Sequence, residues 1–552
     1  MSKRVLIVGG VAGGAACAAR LRRMDEQAEI VIFDRGSFVS FANCGLPYFI
    51  GGVIEKEKSL LVADEKLFKD RFNIDVHTET EVVAIDREKK TVSVIDRRTD
   101  LARVERYDEL VLSPGASPFR PPVEGGDLPG VFSLRTIPDS REIRQWLDEH
   151  EVKNAVVIGG GFIGLEMAEN LTHRGVQVTI VEMLDQVMPP FDPEMASPVA
   201  EKLTQKGVQL ALGDGLKSIG QTDSGALVVH TQSGKHHEAG IVILAIGVRP
   251  ETRLAAEAGL ALGSRGGIRV DQHMRTSDPS IWAVGDAVEV TDYVTGQPAL
   301  VPLAGPAARQ GRIAADNICG RDARFRGVQG TAICGVFDLE VACTGASEKT
   351  LRRLGDTDFE KIYLHPNDHA GYFPGATGIS LKLIFRPSDG RLLGAQGVGL
   401  KGVARRIDVI AMAIQMAGTI YDLEEAELCY APQFGGAKDA ANFAGMIAAD
   451  VVRGDMPITH WTEPTTPETV LLDVRSPGEF ANGHAAGAVN YPLESLRDSL
   501  DQIPASPDLR VYCAVGQRGY VATRLLRQHG LPARNLSGGL TTGRRVHGVP
   551  KA

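Results

Sequence analysis

Cys44 is the residue of this sequence with the most chemical promise. It stands in Ser40-Phe41-Ala42-Asn43-Cys44-Gly45-Leu46-Pro47-Tyr48. Gly45 permits a tight turn and Pro47 suits the first turn of a helix. The thiol is therefore expected at a helix N-terminus, where the helix dipole favours thiolate. Position 49 is Phe, so the C-x4-C pair of a two-cysteine redox centre is absent. A lone thiol that exchanges electrons must form a mixed disulfide or persulfide with its substrate, or a sulfenic acid.

Two glycine-rich turns promise a different chemistry. Val5-Leu6-Ile7-Val8 reads as a buried strand, Gly9, Gly10, Gly13 and Gly14 follow, and a second strand, Ile30-Val31-Ile32-Phe33, ends at Asp34. Such a turn lets backbone N–H groups and a helix N-terminus meet a pyrophosphate, while the carboxylate at the next strand end accepts ribose hydroxyls. Val11 stands where the strict G-x-G-x-x-G pattern has its second glycine. The second unit keeps the pattern: Ala155-Val156-Val157-Ile158, then Gly159, Gly161 and Gly164, with Glu182 closing the next strand. Glu182 repels a 2′-phosphate and no Arg follows in Glu182-Met183-Leu184-Asp185, which favours NADH over NADPH. Ala12 and Arg35 in the first unit, and Phe162 and Ile163 in the second, are expected to line the same cofactors.

The elements that must position these groups follow from the rest of the chain. Its 552 residues make about 3.7 domains at ~150 residues each. Gly is 62 of 552, about 11% against a typical ~7%, without a fixed period. A net charge of −9 and the lack of a basic block disfavour nucleic acid and anionic membranes. No apolar run reaches the ~18 residues of a membrane helix. Val5 to Ala19 superficially resembles a signal peptide, but its glycines break the apolar core, so a cytoplasmic protein is expected. The seven cysteines are odd in number, widely spread and without metal-ligand spacing. The two βαβ units predict two doubly wound α/β domains. From about residue 326 the pattern becomes α+β, with strands at Lys361–Leu364 and Ser380–Phe385 and an amphipathic helix over Val403–Met416. The polar, Pro-bearing stretch from Met456 to Pro467 reads as a linker. A small α/β domain follows, opening on Val470-Leu471-Leu472-Asp473-Val474.

Thr276 to Asp286, TSDPSIWAVGD, resembles the second flavin motif of the flavoproteins with two dinucleotide domains, and Leu110-Val111-Leu112-Ser113-Pro114-Gly115 resembles their crossover strand. The resemblance implies FAD on the first unit, with Ser113, Gly115, Gly247, Gly285 and the ribityl-binding Asp286 around it, and NAD(H) on the second. Within that group, SFANCGLPYF resembles the SFxNCGLPYY signature of coenzyme A disulfide reductases and their persulfide-reductase relatives, with Phe49 in place of the last Tyr. Leu428 to Asp439 resembles their YAPPFGxAKD segment, and Gly371-Tyr372-Phe373-Pro374-Gly375 their YYPG segment. The family implies Cys44 as the redox thiol of a homodimer. It implies Tyr430 as the donor of a proton to the partner subunit's leaving thiolate, and Tyr372, in a segment that matches less completely, as a second catalytic tyrosine. It implies Ser40, Asn43, Arg20, Arg23, Arg71 and Lys438 as contacts of coenzyme A. The related NADH oxidases and peroxidases, which use a sulfenic acid, carry a His where Ala12 stands and Ser where Asn43 stands.

Leu472-Asp473-Val474-Arg475 through Glu479-Phe480, Gly483-His484 and Tyr491-Pro492 resemble a rhodanese domain. Cys513-Ala514-Val515-Gly516-Gln517-Arg518-Gly519 matches its active loop, and Asn535 to Gly539 its closing segment. The loop's amides would cradle a thiolate or persulfide on Cys513. Arg518 would add positive charge or tie the loop down, and Asp473, Arg475 and His484 would stabilise the fold. The expected domains are FAD-binding 1–116 and 246–325, NAD(H)-binding 117–245, dimerisation 326–452 and rhodanese 465–552. The expected activity is FAD-dependent, NAD(P)H-driven reduction of CoA persulfide, polysulfide or CoA disulfide, with Cys513 handling sulfane sulfur. The alternatives are an NADH oxidase or peroxidase, a sulfurtransferase with a secondary flavin domain, and a redox-sensing binding module.

Overall fold

The computed structural model describes residues 2–223 and 225–547. The chain divides into two compact units, Met1–Asp185 with Gly207–Val328, and Gln186–Lys206 with Gln329–Ala552. Among the described residues no helix is long and apolar enough to cross a membrane.

The first unit holds two five-stranded parallel sheets. One runs Ile281–Ala283, Glu109–Leu112, Arg4–Val8, Glu29–Phe33, Asp75–His77. The other runs Gln209–Leu212, Gln177–Glu182, Asn154–Ile158, Ile241–Leu244, Val131–Ser133. In each, the strand before the glycine turn is the middle one. Its side chains are covered on both faces, which is why it reads as an unbroken apolar run. The helix Ala12–Met24 or Phe162–His173 follows each turn. The polypeptide leaves the first sheet after Glu109–Leu112 and returns to it at Ile281–Ala283, so the second sheet is inserted in the first.

The second unit combines an antiparallel and a parallel sheet. The antiparallel one runs Ala332–Val336, Leu339–Gly345, Leu392–Gly399, Ile379–Phe385, Glu360–Leu364. The parallel one runs Ile458–Thr459, Ala533–Leu536, Asp508–Tyr512, Thr469–Asp473, Val489–Asn490, and Cys513 directly follows its middle strand. The stretch expected as a linker is therefore partly structure. Ile458 and Thr459 pair with Asn535 and Leu536, and Met456 is buried. An edge strand of two residues is too short to show a periodic pattern.

A second departure lies at Gln186–Lys206, which sequence places inside the NAD-type domain but which packs with the second unit. Charge holds it there. Lys382 is 0% exposed. Its ammonium lies 2.8 Å from Asp192, 2.6 Å from Glu194 and 2.9 Å from Glu348. Gln396 donates to Asp192 at 2.7 Å, and the Tyr363 hydroxyl donates to Glu194 at 2.8 Å. Against its burial, which acts the other way, Lys382 and Lys361 hold the Glu348 carboxyl well below the usual carboxylate range. A buried charge left without its partner is costly. Lys382→Met should therefore lower the unfolding free energy by about 3–5 kcal/mol, read as a fall in the urea midpoint. An unchanged midpoint would show that the three carboxylates are neutralised without it.

Candidate redox and sulfur-transfer sites

Both dinucleotide-type turns are built on one plan. Gly9 and Gly159 have φ of +92° and +106°, and a Cβ on either would overlap a backbone oxygen of the neighbouring strand end, Ser113 or Ala245. The carboxylate after the next strand then grips the turn. Asp34 accepts the Gly10 and Gly36 N–H groups, each at 2.8 Å. Glu182 accepts the Gly160 N–H at 2.7 Å and the Leu184 N–H at 2.8 Å. Nothing lies within 4 Å of a Cβ built on Gly161. Ala12 and Ile163 are exposed at the starts of their helices. Open space, unpaired helix-start amides and a strand-end carboxylate fit a pyrophosphate and its ribose.

Ser113 joins the first turn to the flavin-type motif. Its N–H donates to Val8 at 2.8 Å, and its hydroxyl lies 3.1 Å from a Cβ built on Gly13 and 3.6 Å from one built on Gly285. Gly247 accepts the Phe119 N–H at 2.9 Å and Gly115 the Glu251 N–H at 3.0 Å, which fixes the crossover. Arg35 pairs with Glu251 at 3.1 Å. Asp286 follows Gly285, and Arg135 donates to it at 3.2 Å. Burial pushes the Asp286 and Asp34 carboxyls up. Arg135, which no sequence motif singled out, sits over Gly115 as well, at 3.0 Å from a Cβ built there.

Cys44 lies in a 3-10 turn over Asn43–Gly45 that runs into the helix Leu46–Ile50. It is exposed. Ser40 adopts a left-handed φ of +46°, and its N–H donates to Gly10 at 2.9 Å, so the thiol segment is tied directly to the first glycine turn. Arg174 donates to the Ile50 carbonyl at 3.1 Å, and Asn170 fills the space a side chain on Gly51 would need. The thiol helix thus docks on the helix of the second nucleotide turn. Asn43 Oδ1 is buried without a hydrogen-bond partner.

The expected depressed thiol is not found. Burial pushes the Cys44 thiol up, and the Glu166 and Asp286 carboxylates add to this, against its own N–H and Arg135. The short helix cannot outweigh two carboxylates in a partly dry site. Glu166 is the residue sequence reasoning missed here. Burial and the nearby Glu169 push its carboxyl up to about 7, opposed by a hydrogen bond from Tyr48. Its clue was its place one helical turn beyond Phe162 and Ile163, on the face toward the thiol helix.

Of the basic residues expected on coenzyme A, Arg23, Arg71 and Lys438 are exposed. Arg20 is committed elsewhere: its guanidinium holds Asp316 at 2.7 Å and is only 14% exposed, which corrects its reading as a free phosphate contact. Arg22, buried beside it, donates to the Phe72 and Asn73 carbonyls at 2.7 and 2.9 Å. That joins the end of the first helix to the end of Glu65–Phe72, which carries Arg71.

In the second unit Tyr372 and Tyr430 share a hydrogen bond of 2.8 Å between their hydroxyls, and are 76% and 47% exposed. That bond pushes the Tyr372 hydroxyl up. Arg405 fixes the segment by donating to the Cys429 and Phe434 carbonyls at 2.9 and 2.8 Å. Cys513 directly follows its strand, 1% exposed, and its Sγ accepts the Gly516 N–H at 3.1 Å just before the helix Gln517–Gln528. The Arg518 guanidinium lies within electrostatic range of Cys513. It forks onto Glu479 at 2.7 and 2.8 Å, tying the loop down, and Glu479 is held down to about 2. Asp473 and Arg475 form a buried pair at 2.6 Å. His484 stacks on Phe480.

Family models match along the chain: pyridine nucleotide-disulphide oxidoreductase over residues 3–310, its dimerisation domain over 331–441, and a rhodanese-like domain over 460–543. A coenzyme A disulfide reductase of Staphylococcus haemolyticus is 35% identical over 450 residues, 81% of this chain and all of the relative. The crystal structure of reduced Bacillus anthracis CoADR-RHD superposes with a TM-score of 0.96 at 45% identity, covering 99% of this chain and 98% of that one. The structure of a NAD-dependent persulfide reductase from A. fulgidus gives 0.91 at 38%, covering 98% and 99%.

The carboxylate beside Cys44 makes a prediction with a sign. Glu166→Gln removes a negative charge that disfavours the thiolate, so the pH profile of Cys44 alkylation by iodoacetamide should move to lower pH. A profile that stays in place or moves up would remove Glu166 from the thiol's environment.

Proposed function

The chain belongs to the pyridine nucleotide-disulphide oxidoreductase family, and on that premise we propose that it uses NADH to reduce CoA persulfide, polysulfide or CoA disulfide at Cys44, while Cys513 handles sulfane sulfur. Membership of the family implies FAD and NAD(P)H. The observation that carries the reading is the exposed lone thiol in a segment tied to the first nucleotide turn through Ser40, just before a helix packed on the helix of the second. The residues from Gly9 to Gly14 with Asp34, Ser113, Gly285 and Asp286 would hold FAD, and Gly159 to Gly164 with Glu182 would hold NADH. When bound, FAD supplies a two-electron path from NADH to the sulfur at Cys44.

The chain's own groups do the rest. Cys44, as thiolate, attacks one sulfur of the S–S bond. The new bond forms at Cys44 as the old one breaks, and the second sulfur leaves with the electron pair. A leaving thiolate departs more easily when protonated, and Tyr430 supplies that proton with Tyr372 hydrogen-bonded behind it. The tyrosines act across a homodimer, which the matched dimerisation domain supports. Reductive cleavage of the bond to Cys44 restores the thiol and frees sulfide or thiol product. Arg23, Arg71 and Lys438 remain the cations for the coenzyme's phosphates. Cys513 carries sulfane sulfur as a persulfide whose charge faces the Gly516 amide. The peroxidase reading is weaker, because Ala12 offers no acid or base at the first turn. The exposed Cys44 beside two open nucleotide turns argues against a flavin domain that is merely secondary to sulfur transfer.

NADH oxidation and sulfide release with CoA persulfide, CoA disulfide, polysulfide and peroxide separate these readings. Cys44→Ser should abolish turnover with all sulfur substrates, whereas Cys513→Ser should leave CoA disulfide reduction intact and stop sulfur transfer. Full persulfide-dependent NADH oxidation in Cys44→Ser would overturn the proposal. Tyr430→Phe should lower kcat about a hundredfold, and wild-type kcat/KM should favour NADH over NADPH because Glu182 meets the 2′ position.

A further inference from the structure

We infer that the antiparallel sheet of the second unit is a working part of the sulfur-transfer site, with His365 and Tyr363 as positioning residues for the Cys513 loop. The inference rests on Cys513 being the sulfane carrier. A cradle of amides stabilises an anion only while those amides are held in place. The Cys513 loop borrows its shape from the segment that follows its neighbouring strand. Leu540 N–H donates to the Cys513 carbonyl at 2.8 Å, and Thr541 N–H to the Ala514 carbonyl at 3.0 Å. Asn535 donates to the Gly516 carbonyl at 3.3 Å. A Cβ on Gly539 would come 2.8 Å from the nitrogens of both Val515 and Gly516, so this residue lies flat against the loop.

That segment is fastened in turn to the antiparallel sheet. Tyr363 N–H donates to Ser537 Oγ at 3.1 Å, and a Cβ on Gly538 would lie 2.7 Å from the Tyr363 Cβ. His365 bridges Thr542 Oγ1 at 2.9 Å and Ser380 Oγ at 3.0 Å through its two ring nitrogens. Burial, with Arg545 nearby, pushes the imidazole down to about 3, so it is neutral and offers one donor and one acceptor. The far side of the same strands is pinned by the Tyr363 hydroxyl on Glu194 and by Lys382. The path runs from the ion cluster around the buried Lys382 through one strand to the segment that packs on the Cys513 loop, with a hydrogen bond at every junction. Neither His365 nor Tyr363 touches the sulfur. Their effect is to place the Gly516 amide, which does.

The test uses the full-length protein. His365→Phe removes both ring hydrogen bonds at similar volume, and Ser537→Ala removes the acceptor for Tyr363. Both should lower the kcat of sulfur transfer from persulfide to thiol about tenfold or more, since misplacement by an ångström can cost that much, with KM little changed. The pH profile of Cys513 alkylation, mapped by peptide mass, should move to higher pH. NADH-dependent reduction of CoA disulfide should be unchanged. His365→Gln, which can donate and accept, should restore part of the loss. If His365→Phe does not fold, Ser537→Ala decides alone. Wild-type kcat and alkylation profile in a folded variant would overturn the inference. A shifted profile in a protein whose wild type transfers no sulfur would instead overturn the reading of Cys513 while leaving the positioning intact.

Discussion

The amides at the start of a helix have no partner within it, and three turns of this chain are arranged around that fact. Each follows the middle strand of a five-stranded parallel sheet: Arg4–Val8, Asn154–Ile158 and Asp508–Tyr512. In the first two, a carboxylate from the neighbouring strand takes one amide, Gly10 or Gly160, and leaves the remaining helix-start groups to something brought from outside. In the third, the acceptor is the turn's own thiol, on the Gly516 amide. One backbone device therefore yields two binding turns and one reactive turn. The difference lies in whether the anion belongs to the neighbouring strand or to the turn itself.

Cys44 answers to a different balance. Its helix is too short and its surroundings too acidic for the dipole to govern it, so burial and two carboxylates prevail over Arg135. Since thiolate is the form that oxidises, a thiol held high spends less time exposed to stray oxidants. Glu166 changes charge near neutral pH, so the environment of the thiol is itself adjustable there.

The sequence was most legible where one residue type is the only solution. Gly9 and Gly159 could be placed because a side chain would strike the adjacent strand. The strand-end acids Asp34 and Glu182 could be placed because their distance from the turn is fixed by one helix and one strand. What escaped reading depends on partners far away in the chain. The burial of Lys382 could not be read from its own strand, because its three counter-ions come from positions 192, 194 and 348. The two-residue strand at Ile458–Thr459 needed Asn535 and Leu536 before it could exist. Arg20 looked free because Asp316 lies on a distant helix. Arg135 and Glu166 carry no motif at all, and matter only through the charges they face once the helices are packed.

The placement of Gln186–Lys206 carries a consequence in time. Asp192 and Glu194 leave the ribosome about 190 residues before the lysine that neutralises them. At roughly 5–20 residues per second, that is an interval of about 10–40 seconds. Until then the two carboxylates have to stay in water, so this stretch must hang as a solvated loop from a sheet that is otherwise ready to close. The first unit can complete its own core in that time, because the loop belongs to the second. Assembly of the second unit, by contrast, has to gather a segment synthesised long before the sheet that buries it.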